Sequence, residues 1–170
     1  MIGCPPSKKC RVGTRWRMAF AGALIAAAVT GAAAPDATAP LPGAVTIKTR
    51  YGFDTLANRV EKAIANQKMG LVAQASASRG AAARGVKIPG NAVLMVFRND
   101  YAVRMLAASV ASGIEAPLRI YITENADGTA NLTYRAPSTV FAPYGNRALD
   151  EMAKELDVVF QNIVRDATAK

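Results

Sequence analysis

Arg119, Glu124 and Tyr134 fall within one stretch, LRIYITENADGTANLTY, and Arg98 and Asn99 follow an apolar run that ends at Phe97. An arginine can grip an anionic group with a planar fork of donors, a carboxylate can take a proton, and tyrosine and asparagine can donate and accept. These five residues are the ligand-binding candidates. No catalytic residue and no metal ligand is assigned. The chain has no histidine, and its cysteines, Cys4 and Cys10, stand near its start. That excludes a histidine-based triad, a histidine-ligated metal and a disulfide-rich scaffold. Ser-x-x-Lys, the fallback for serine activation without histidine, does not occur, and Gly80 to Gly85 (GAAARG) lacks the residues that make a phosphate cradle. Asp150, Glu151, Glu155 and Asp157 read as the solvated face of a helix rather than as ligands.

The elements that must position these groups begin after a leader. Residues 1–17 hold Lys8, Lys9, Arg11, Arg15 and Arg17 and no acid, and MAFAGALIAAAVTGAAA follows over 18–34. A basic region, an apolar region and small residues before a cut make a secretory signal over 1–33, with Gly31-Ala32-Ala33 as the processing site. The expected location is therefore the periplasm, with membrane contact only where the signal stays uncleaved. Both cysteines precede the apolar run, so neither is a lipobox cysteine. Removing the five leader cations takes the 21 basic residues to 16, against 12 acidic, a balance of +4. Such a modest and scattered charge gives no nucleic-acid footprint. Residues 34–43 (APDATAPLPG) form a proline-rich linker, and 44–170 form one domain.

Within that domain, AVTIKTR (44–50) alternates as a half-buried strand. Asp54 is the expected cap of a helix over 56–68, with Gly70 as its stop. A strand over 71–77 and a short helix or turn over 78–85 follow. AVLMVF (92–97) is apolar on both faces, as an inner strand would be. Asp100 should cap a second helix ending at Gly113. LRIYIT (118–123) alternates, Asp127-Gly128 is a strong hairpin signal, and NLTY (131–134) returns. Leu149, Met152, Ala153, Leu156, Val159, Phe160 and Ile163 trace one apolar stripe, which predicts an amphipathic helix over 147–166. This order implies an α+β two-layer sandwich, a mostly antiparallel sheet with helices on one face.

Three runs, GFDTLANRVEKAIANQKMGLVAQ, GVKIPGNAVLMVFRN and APLRIYITENADGTANLTYRAPS, resemble the domain of unknown function 302 family over about residues 46–166. Pro117-Leu118-Arg119-Ile120, Glu124, Asp127-Gly128, Tyr134 and Pro137 carry the match through their order and spacing. The resemblance implies a β-α-β4-α fold and a homodimer, and no reaction. The chain departs from the family pattern where a histidine is common: Ala75, Ser76, Ala77 and Ser78 stand there. The family's FGNP turn is Phe97-Arg98-Asn99-Asp100 here.

The uncovered sheet face should present Arg119, Tyr121 and Thr133 with either Val93, Met95 and Phe97 or Leu94 and Val96. An apolar and aromatic face of this kind invites a partner. The reading favoured is a non-enzymatic, exported homodimer that binds a small molecule or a protein partner, with Arg119 and Tyr134 anchoring a groove. Arg98, Asn99 and Tyr101 would line its mouth. No cofactor is implied. The alternatives are a periplasmic enzyme using carboxylate, Arg and Tyr chemistry, with Glu124 as base, and a purely structural dimer.

Overall fold

The computed structural model describes residues 43–170. The signal-peptide reading and nearly all of the linker lie outside the described residues. Five strands, β1 (Ala44–Gly52), β2 (Gly70–Ala75), β3 (Asn91–Phe97), β4 (Leu118–Glu124) and β5 (Thr129–Arg135), form one antiparallel sheet in the order β1-β5-β4-β3-β2. The helices are α1 (Phe53–Asn66), α2 (Ala77–Ala82), α3 (Asn99–Ala108), α4 (Pro137–Phe141) and α5 (Arg147–Thr168). Short 3-10 turns cover Val110–Glu115 and Ala142–Tyr144. The expected α+β sandwich with a mostly antiparallel sheet is the observed one.

Strand alternation decides where the core sits. Ala92, Leu94 and Val96 of β3, Leu118, Ile120 and Ile122 of β4, and Ala130, Leu132 and Tyr134 of β5 are all buried. They pack against Leu56, Val60 and Ile64 of α1 and against Leu149, Met152, Leu156, Phe160 and Ile163 of α5. Phe141 of α4 closes the same core. The α5 stripe repeats every three or four residues, so one helix covers the sheet along its length. Asn146 caps it, its side-chain oxygen accepting from the Leu149 N–H at 3.1 Å.

Several expected boundaries move. Gly52, not Asp54, is the N-cap of α1, and Asp54 sits in the first turn, where its charge meets the positive helix end. The helix turns off at Lys68, whose φ is 57°, and Gly70 already belongs to β2. Asp100 likewise lies inside the first turn of α3, after Arg98 at the cap. That helix ends at Ala108, and the chain tightens into a 3-10 turn before Gly113. The Asp127-Gly128 signal holds: Gly128 takes φ 80°, and the Asp127 carboxylate accepts from the Thr129 N–H at 2.9 Å. No described helix is long and apolar enough to cross a membrane.

Candidate functional site

Among the described residues, the face of the sheet opposite α1 and α5 is largely open, and at the start of β3 the Ala77 N–H of α2 donates to the Asn91 side-chain oxygen at 3.0 Å. Register places its residues in rows. Val93 pairs with Tyr121 and Ala75, and Tyr121 pairs with Thr133. Met95 pairs with Arg119 and Ala73. Thr133 pairs with Thr46, and their hydroxyls lie 2.9 Å apart. Of the two apolar sets open at the sequence level, Val93, Met95 and Phe97 are therefore the outward one. They are half-buried by their neighbours, and Tyr121 is 41% exposed. Arg119, Arg135 and Lys48 stand on the same face, all exposed. No carboxylate alternates onto that face among the described strand residues: Glu124 pairs with Ala130, on the helix side.

The five candidates scatter. Arg119 lies on the open face. Tyr134 lies on the covered one, 9% exposed, its ring 5.9 Å from that of Phe160. The proposed groove between Arg119 and Tyr134 is corrected on this point, because Tyr134 pairs with Ile120, not with Arg119. Residues one step apart along a strand point to opposite faces, so Thr133 and Tyr134 cannot share one. Burial, and then the nearby Asp157 carboxylate, raise the Tyr134 phenol above its ordinary range. Glu124 holds a loop: its Oε2 accepts from the Gly90 N–H at 2.6 Å, and its own N–H donates to the Gly90 carbonyl at 2.8 Å. Gly90 is required there, since a Cβ would meet the Phe53 ring at 2.7 Å.

Arg98 and Asn99 stand where β3 passes into α3. Arg98 donates to both oxygens of Asp100, at 2.7 and 3.0 Å, and lies 4.3 Å from the Tyr101 ring centre. That bidentate bond holds the Asp100 carboxyl below the usual carboxylate range. Arg104 sits 5.6 Å from the same ring and forks onto Glu155 at 2.7 and 2.8 Å, with the same effect on that carboxyl. Arg98 and Tyr101 do line a mouth, but of a different hollow: an apolar cavity of about 30 Å3 under α3, walled by Met69, Met105, Met152 and Leu156. It lies on the helix side, away from the open face that carries Arg119.

Sequence reading missed Arg135 and Glu115. At the end of the sheet, Arg119, Arg135, Glu115, Leu118 and Val140 line a cleft of about 50 Å3. Arg135 falls opposite Arg119 when the register is counted from the three-residue loop 126–128, closed by the Asn125 N–H on the Thr129 carbonyl, whereas a two-residue Asp127-Gly128 turn would set Ala136 there. A second uncovered apolar stretch was also missed: Val110 and Ile114 are 79% and 81% exposed. Among the described residues no group of three or more His, Cys, Asp or Glu side chains is placed to hold a metal ion.

The family described as domain of unknown function DUF302 matches residues 45–167. A crystal structure of an uncharacterized conserved protein DUF302 from Bacillus stearothermophilus is similar, with a TM-score of 0.65 and 18% sequence identity. The likeness covers 74% of this chain and 98% of that one, and it speaks for the fold. No curated protein matches the chain.

Proposed function

The chain belongs to the DUF302 family, and on that premise we propose that it is an exported, non-enzymatic binding domain whose uncovered sheet face joins a second copy of itself. The observation that carries this reading is the outward strip of Val93, Met95 and Phe97 beside the exposed Tyr121, on the face opposite α1 and α5. An apolar strip in water favours burial, and a two-fold axis makes one strip its own complement. An axis near Val93 brings the aliphatic side chains of two copies together. It leaves Lys48, on the edge strand β1, and Arg119 and Arg135, at one end of the sheet, toward the rim. Export rests on the basic and apolar order of residues 1–34.

Sedimentation velocity on the processed protein tests the pairing. A dimer is expected, and Met95→Lys should release folded monomers with an unchanged circular dichroism spectrum, their melting temperature no longer depending on concentration. Val110→Lys, in the other exposed apolar stretch, should leave the dimer whole. A monomer at every concentration overturns the pairing. Fractionation of producing cells, with N-terminal sequencing, tests export: a mature chain beginning at Ala34 in the periplasm is expected, and a cytosolic chain beginning at Met1 overturns it.

A further inference from the structure

Arg119 and Arg135 face each other across β4 and β5, one step beyond the Ile120–Tyr134 pair and on the same side of the sheet. Like charges directly opposite on neighbouring strands are destabilising. Among the described residues, neither guanidinium has a carboxylate partner. The ion pairs among the described residues involve Arg98, Arg104, Arg147 and Arg165, and Arg119 and Arg135 take part in none. Both nevertheless line one cleft, with Leu118 and Val140 as apolar walls. Its volume of about 50 Å3 exceeds the ~10–15 Å3 that a water molecule needs on that measure. Glu115 is the one acid in the lining, farther than 4 Å from either arginine, and it accepts a hydrogen bond from the Tyr144 hydroxyl at 3.2 Å.

We infer that Arg119 and Arg135 form a two-arginine clamp for the carboxylate of a small aliphatic acid. The class follows from the lining. Two cations and one carboxylate leave a single positive charge, which matches a monoanion better than a phosphate dianion. Two planar forks suit two carboxylate oxygens. Leu118 and Val140 suit a short alkyl group. The clamp does not rest on self-association, and a monomer that binds the probe leaves it standing.

Titration of the processed protein with butyrate, followed by amide shifts in NMR spectra, tests the clamp. The Arg119 and Arg135 amides should move and saturate. Arg119→Gln or Arg135→Gln should weaken binding by about tenfold, the usual scale for a lost charge-assisted bond. Each should melt no lower than the parent, because the opposed charges are relieved. Glu115→Gln should tighten binding, an effect in the opposite direction that a merely structural role would not produce. Binding of butyrate that ignores both arginine substitutions, an absence of saturable shifts, or tighter binding of inorganic phosphate than of butyrate overturns the inference.

Discussion

Ile120 and Tyr121 are neighbours on β4, and their surroundings differ completely. Ile120 is wholly buried under the helices, whereas Tyr121 is 41% exposed on the bare face. The same alternation separates Leu94 from Val93 and Leu132 from Thr133. The covered face is a packed interior in which each side chain touches others on two layers. Among the described residues the open face is packed mainly by cross-strand neighbours, so the stability of the fold depends less on which residues occupy it. That difference assigns stability to one face and leaves the other available for recognition. The largest expected effect follows from it. Ile120→Ala should cost about 3 kcal/mol in denaturant unfolding, because a cavity opens beneath the helices. Tyr121→Ala should cost below about 1 kcal/mol, since little packing is lost. Equal costs at the two positions would break the distinction.

Arginines sharpen the comparison next. Arg59 of α1, on the helix side, spends its donors on the end of α5. Its Nε bonds the Ala167 carbonyl at 2.6 Å, and its terminal nitrogen bonds those of Ala169, at 2.6 Å, and Asp166, at 3.3 Å. The ring of Tyr51, whose hydroxyl also donates to the Ala169 carbonyl, lies 4.4 Å beneath the guanidinium. A cation placed on the last carbonyls of a helix satisfies orphan acceptors and opposes the negative end of the dipole. Arg119, on the open face, meets no such acceptors among the described residues. Arg59→Ala should therefore lower stability by about 1–2 kcal/mol, while Arg119→Ala should leave it unchanged or raise it. A matched loss at both sites would show that the open-face arginine is structural.

This contrast also explains what could be read from the chain alone. Strands and the long helix were legible because one-sided burial writes a period of two into β4 and β5 and a period near 3.6 into α5. Helix ends were less so. Asp54 and Asp100 are good capping types, yet each serves as a first-turn charge, because the caps at Gly52 and Arg98 follow from how the strands end. The candidate site was half legible. Arg119 was found from alternation, but Tyr134 was put beside it although Thr133 already held that face. The true neighbour, Arg135, needed register as well as alternation, and register comes from the turn rather than from either strand.

Tyrosine ionisation gives a smaller test of the two faces. The Tyr134 phenol on the covered side is raised, first by burial and then by Asp157. The folded protein keeps that proton to higher pH than the unfolded chain does. Its share of stability is thus whole below the unfolded value of about 10 and is lost as pH rises through the higher folded value. Tyr134→Phe should flatten the alkaline end of the stability profile. Tyr144, raised by burial and by Glu115, should leave a residual slope. A profile unchanged by Tyr134→Phe would mean that the phenol is not held on the covered side.

The smallest effect belongs to the ion pairs at the rim of the helix layer. Asp100 is lowered chiefly by its bond from Arg98, and Glu155 by its bond from Arg104. Their sign is opposite to that of Tyr134. A carboxyl with a depressed folded value adds stability above the unfolded value of about 4, and loses it as pH falls through the folded one. Asp100 is 59% exposed and Glu155 51% exposed, so water and salt screen both pairs. Asp100→Asn should then shift the unfolding midpoint at neutral pH by less than any change above, with the shift vanishing in high salt. A large loss that survives salt would place Arg98 and Asp100 among the groups that hold α3 on the sheet, and the rim would have to be counted with the covered face.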